Sequence, residues 1–255
     1  MLRGRLAALA VLVALAAGSP LATGAGASPT AAKRTVLLLG DSLTAETAPS
    51  YVPPVGWKVQ VLARAGIAPC DWLTEPHPNF YDLIALHPSV VIIETAGNDI
   101  TACMRLDGAL PPVGSPAYFA RYESSLATVV SLAERAGATV VMLAPPPLLE
   151  PHLGAALTTL LDWAVTSEHV AVSLSPRMAV SLRGAFTVDL PCLRGETARQ
   201  GCVAGEIPVR TVDDKYHLHF CPRKRDFAPG FTCIVYSSGE RRWAAATMRL
   251  LRTYG

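Results

Sequence analysis

Val36-Leu37-Leu38-Leu39-Gly40-Asp41-Ser42-Leu43 is the stretch on which the reading of this chain turns. Four apolar residues in a row are the mark of a strand buried on both faces, and a glycine, a carboxylate and a hydroxyl follow at its carboxyl end. Three further runs of this kind, Val90–Glu94, Thr139–Leu143 and Val170–Ser173, and a more mixed one at Lys58–Leu62 lie downstream. Between them, Ala117–Ala136 and Leu153–Ser167 have the length and periodicity of helices, and Glu240–Leu251 reads as a closing helix. Strands and helices in alternation predict an α/β fold, a parallel sheet covered by helices on both faces. In such sheets ligands gather beyond the carboxyl ends of the strands, so chemistry is to be sought there.

The 255 residues, 51% hydrophobic and 16% charged, are enough for a real core and predict one compact domain over residues 28–255. Ahead of it, Arg3 and Arg5, an apolar run from Leu6 to Ala17, the helix-breaking Gly18-Ser19-Pro20 and the small residues Ala25-Gly26-Ala27 have the layout of a secretory signal peptide spanning residues 1–27. The run is well short of the roughly 20 residues that a spanning helix needs, so no stable membrane anchor is expected. A secreted or cell-envelope protein follows. Removing Arg3 and Arg5 from the 22 basic residues leaves as many bases as the 20 acids, which gives no reason to expect nucleic acid as a partner. The short runs Arg223-Lys224-Arg225 and Arg241-Arg242 read as solvated surface.

All six cysteines, Cys70, Cys103, Cys192, Cys202, Cys221 and Cys233, fall in the mature part, and an even number in an exported chain reads as disulfides. A zinc site from His217, His219, Cys221 and Cys233 is the other use of such residues, but no paired Cys-x-x-Cys supports it. Residues 187–238 hold four of these cysteines with several prolines and glycines, and read as a disulfide-pinned loop region on the same domain.

Three places could carry chemistry. Ser42 stands at the mouth of the sheet, where a helix starting just beyond would offer N–H groups to a developing negative charge; Asp41-Ser42 alone could equally be a helix cap. Gly97-Asn98-Asp99 follows the third strand, and Asn98 could aim a neutral amide at an oxyanion, although Gly-Asn-Asp alone would be a turn. Asp214-Lys215-Tyr216-His217 comes late, and a histidine oriented by a carboxylate is the natural base for a serine hydroxyl.

Taken together and in order, Gly40-Asp41-Ser42-Leu43, Gly66, Gly97-Asn98-Asp99 and Asp214-x-x-His217 resemble the four blocks of the SGNH (GDSL) hydrolase superfamily, over roughly residues 35–251. The resemblance implies a three-layer α/β/α, flavodoxin-like fold, with Ser42 as nucleophile, His217 as general base and acid, and Asp214 as the orienting carboxylate. It also implies an oxyanion hole from the N–H groups of Ser42 and Gly66 and the side chain of Asn98. Cys70-Asp71-Trp72, Ala102-Cys103-Met104, Leu190-Pro191-Cys192 and Cys233-x-x-Tyr236-Ser237-Ser238-Gly239 resemble exported actinobacterial members with a cysteine-rich end. That likeness supports the pairs Cys70–Cys103, Cys192–Cys202 and Cys221–Cys233. One departure is that two aspartates and two histidines crowd Asp213-Asp214-Lys215-Tyr216-His217-Leu218-His219; the spacing selects His217, whereas His219-Phe220-Cys221-Pro222 matches the subgroup's usual ending.

The implied activity is that of a secreted serine esterase or lipase-type acyl hydrolase working through an acyl-serine, needing no metal or organic cofactor. A small-molecule, lipid or glycan ester is the expected partner and a monomer the expected state. An O-acyltransferase using the same site on an envelope glycan, and a non-catalytic binding module on a hydrolase scaffold, are the alternatives.

Overall fold

The computed structural model describes residues 33–74, 78–214, 217–228 and 230–254. The expected signal peptide lies outside them. Five strands, β1 (Arg34–Gly40), β2 (Trp57–Ala63), β3 (Val90–Ile93), β4 (Thr139–Leu143) and β5 (Ala171–Ser173), form one parallel sheet in the order β2-β1-β3-β4-β5.

Period-two alternation sorts the strand side chains between two cores. Leu37, Leu39, Val91 and Ile93 pack on one face beneath α2 (Pro69–Thr74), α3 (Phe80–Ile84), α4 (Pro116–Arg135) and α5 (Pro151–Thr166), around Trp72, Tyr122 and Leu126. Val36, Leu38, Val90 and Ile92 pack on the other face with Leu43 of α1 (Ser42–Thr47) and Trp243 and Met248 of α7 (Ser238–Arg249). A short α6 (Ser175–Ala179) packs against α7, and α8 (Leu251–Tyr254) ends the chain. This is the three-layer α/β/α arrangement. Among the described residues no helix is long and apolar enough to cross a membrane.

The chain leaves β1 for β2 on one side and returns to β3 on the other. The sheet therefore parts its connections between the carboxyl ends of β1 and β3, the switch point where doubly wound sheets form a crevice. The turn out of β1 is so tight that a Cβ on Gly40 would lie 2.0 Å from the Thr44 hydroxyl oxygen. Gly97, after β3, has φ +82°, and a Cβ there would lie 2.8 Å from Leu153.

Residues 187–238 contain two small hairpins that sequence periodicity does not announce, β6 (Asp189–Pro191) with β7 (Glu206–Pro208) and β8 (Phe227–Ala228) with β9 (Thr232–Cys233). The three disulfides join Cys70 to Cys103, Cys192 to Cys202 and Cys221 to Cys233. The last bond joins the two sulfurs of the supposed zinc set, which removes them as metal ligands. Three disulfides suit an oxidising environment.

Candidate active site

Asp41 caps α1 and is completely buried. Its carboxylate collects the N–H of Leu43 at 3.1 Å, the N–H of Ala96 at 2.6 Å and the side-chain amide of Asn98 at 2.8 Å. The turn after β1 is thereby laced to the turn after β3, and Ser42 and Asn98 are held as neighbours across the switch point. Asn98 keeps its second amide hydrogen for another acceptor.

Behind this turn Glu94, also completely buried, accepts the Thr44 hydroxyl at 2.9 Å. Burial and then the adjacent Asp41 charge push its carboxyl well above the usual range. Asp41 is raised by burial too, against the lowering effect of the N–H groups of Ala96 and Leu43 that it accepts.

The histidine segment departs from the expected assignment. His217 has φ +48° and donates its backbone N–H to the Asp214 carbonyl, a tight turn that sends its ring to the Thr211 carbonyl at 3.2 Å and edge-on to Phe186. Asp214 instead takes Nδ1 of His219 at 2.8 Å, together with the N–H groups of Leu218 at 3.0 Å and His219 at 3.3 Å. Burial would raise the Asp214 carboxyl, but the His219 hydrogen bond and charge and these N–H groups outweigh it and hold it down to about 2. An ionised Asp214 fixes the proton on Nδ1 and leaves Nε2 as the acceptor. Nε2 is shielded from solvent and has no hydrogen-bond partner among the described residues. The aspartate–histidine pair is thus Asp214 with His219, and not with His217, because the turn after Asp214 adds two residues before a ring can face back.

Buried groups that sequence reasoning missed hold this segment by its backbone. Glu46, on α1 one turn beyond Ser42, accepts the Phe220 N–H at 2.5 Å. Thr211 and Ser237 donate their hydroxyls to the carbonyls of Cys221 and Phe220, both at 2.6 Å, and Arg210 donates to that of Leu218 at 3.2 Å. Burial and then nearby Glu240 push the Glu46 carboxyl well above its ordinary range, while burial lowers the Arg210 guanidinium to about 9. A glutamate placed four residues past Ser42 among buried neighbours was the one available signal.

Gly66 lies in the loop after β2, with φ +77°. The Cys70–Cys103 bond ties that loop's helix α2 to the segment following Asn98. On the outer side of His219, Phe227 and Phe231 meet its ring at 5.6 Å each, and with Lys224, Ala228 and Asp214 they line a cavity of about 490 Å³. The hairpin carrying the two phenylalanines is closed by Cys221–Cys233.

No family model and no curated protein matches the chain. Among solved structures, an acylhydrolase-type protein of Bacteroides fragilis superposes with a TM-score of 0.50 at 15% identity, over 87% of this chain and 88% of its own. TesA gives 0.47 at 18% identity over 87% of this chain and 100% of its own. A GDSL-like lipase of Bacteroides thetaiotaomicron gives 0.46 at 13% identity, over 87% of each chain. At 15% identity the likeness to the Bacteroides fragilis protein speaks for the fold alone.

Proposed function

We propose that the chain is an exported serine hydrolase of carboxylic esters of the SGNH type, with Ser42 as nucleophile, His219 as general base and acid, and Asp214 as the carboxylate that orients it. The observation that carries this reading is the His219–Asp214 pair with Nε2 left unbonded, on a segment anchored to the nucleophile's own helix by Glu46.

His219 Nε2 takes the Ser42 hydroxyl proton as the oxygen attacks the ester carbonyl, and Asp214 stabilises the imidazolium that forms. The tetrahedral oxyanion is met by the N–H groups of Ser42 and Gly66 and by the free hydrogen of the Asn98 amide, each such donor typically worth about 3 kcal/mol. The intermediate collapses, the leaving alcohol takes the proton from Nε2, and water attacks the acyl-serine by the same route in reverse. The aromatic cavity beside His219 offers room for the apolar part of an ester, either alcohol or acyl.

The test is hydrolysis of a p-nitrophenyl ester chain-length series by oxidised protein starting at residue 28. Ser42→Ala and His219→Ala are expected to abolish turnover, with His217→Ala close to wild type. Full activity in Ser42→Ala would overturn the proposal, and loss in His217→Ala alone would return the base to His217.

A further inference from the structure

Away from the catalytic residues, α7 and the segment after it expose Arg241, Ala245, Arg249 and Arg252, residues that recur on one helix face, while Trp243, Ala244, Ala246 and Met248 are buried. The first three line a groove of about 570 Å³ whose opposite wall is the Cys192–Cys202 loop with Arg194 and Gln200. Four guanidiniums therefore face one carboxylate, that of Glu196, across this groove.

That carboxylate is already occupied. Glu196 accepts the hydroxyls of Tyr236 at 2.8 Å and Ser238 at 2.5 Å and pairs with Arg242 at 3.3 Å, and Arg242 also donates to the Pro191 carbonyl at 2.7 Å. The Arg242 and Glu196 side chains are only 9% and 4% exposed. Arg242 is a tether and not solvated surface, and it fixes the two walls of the groove against each other. Arg241 lies over the Tyr236 ring at 4.9 Å, and Arg194, Arg249 and Arg252 have no carboxylate partner among the described residues.

From these observations we infer that the groove between α7 and the Cys192–Cys202 loop binds a linear anionic glycan, its carboxylate or phosphate groups taken by Arg194, Arg241 and Arg249. Guanidinium suits both groups because its planar donors match two oxygens at once. Arg241 and Arg249 stand about 12 Å apart along the helix, from a rise of 1.5 Å per residue, a span that fits charges repeated along a chain better than one small anion. The site is concave, which a flat membrane surface would not fill. Its aromatic ring is already covered by Arg241, which leaves no platform for stacked bases. The overall charge balance outside the leader is even, so this cationic groove is a local concentration of charge and not a property of the whole surface.

The proposal stands apart from the esterase reading, since binding is measured without turnover. Wild-type protein and the Arg194→Glu/Arg249→Glu variant are titrated at 50 mM and 300 mM salt with oligogalacturonate, a linear poly(hexose phosphate), neutral dextran and oligo(dT). We expect one or both anionic glycans to bind, at least tenfold more tightly than dextran and oligo(dT), with at least tenfold loss in the variant and marked weakening at high salt. Which of the two binds tells carboxylate from phosphate. A milder Arg194→Gln/Arg249→Gln variant, expected to lose several-fold, covers misfolding of the first, and hydrolysis of p-nitrophenyl acetate by either variant is expected to be unchanged. Binding to neither glycan, equal binding of dextran or oligo(dT), or undiminished binding by both variants would overturn the inference.

Discussion

The two halves of the candidate site are held by different physics. Ser42 and Asn98 follow β1 and β3, which are buried from Val36 to Gly40 and from Val90 to Ile93, so their positions follow from the packing of a parallel sheet. His219 stands in residues 187–238, where strands are two or three residues long, and there disulfides and buried polar tethers from Glu46, Arg210, Thr211 and Ser237 set the backbone. A hydrophobic body tolerates much repacking, whereas a segment held by a few directional bonds fails when one is removed. The contrast says that catalytic competence should be more fragile than the fold.

The largest effect that sharpens this contrast is expected at the pair itself. Asp214→Asn should lower kcat by about ten-thousandfold, the order seen when an orienting carboxylate is lost from a triad, while the thermal midpoint moves little. Steady-state kinetics beside a melting curve checks it. An equally large fall in stability would mean that Asp214 serves the fold first.

Next comes the Cys221–Cys233 bond. Replacing both cysteines by serine removes a loop closure worth about 2–4 kcal/mol in the unfolded-chain account, and frees the Phe227–Phe231 hairpin from its place beside His219. Activity should drop sharply while far-ultraviolet circular dichroism keeps the signal of sheet and long helices. Parallel loss of both would erase the distinction between the two regions.

Glu46 tests the tether. Glu46→Ala leaves the Phe220 N–H unbonded and Arg210 without its carboxyl neighbour, and should lower kcat about tenfold with KM little changed; Glu46→Gln, which keeps an acceptor oxygen, should recover much of it. Identical losses in the two variants would show that charge, and not the hydrogen bond, is what matters there.

The smallest effect concerns Glu240, whose carboxyl burial raises from 4.5 to about 7. A raised folded-state value means that the folded protein binds the proton more tightly than the unfolded chain does. This contribution to stability is therefore complete below pH 4.5 and is lost as pH rises toward about 7, by at most about 3 kcal/mol. Chemical denaturation at pH 5 and pH 8 should show the decline, and Glu240→Gln should flatten it; a wild-type profile that rises over this range would contradict the assignment.

Five strands and three long helices were legible from the sequence because burial on both faces and helical period repeat over enough residues to be read. The placement of Ser42, Gly66 and Asn98 beyond β1, β2 and β3 was legible for the same reason. Which histidine pairs with Asp214 was not. Choosing between His217 and His219 depends on the sign of φ at His217, and nothing in an Asp-x-x-His spacing records that a non-glycine residue takes the left-handed conformation. Arg242 was misread as solvent-facing because its partner Glu196 lies 46 residues away in the loop between β6 and β7, which carries no periodic signal.

The Glu46–Phe220 hydrogen bond closes a loop of 174 residues. During synthesis, a ribosome must therefore deliver almost the whole chain before α1 can meet the segment that carries His219. Contacts of such separation form late and slowly, because the entropy of closing the loop comes due before the contact returns anything. A nascent or truncated chain ending before Phe220 would lack both this bond and α7, so the proposed meeting of Ser42 with His219 is assembled only once nearly the whole polypeptide is present.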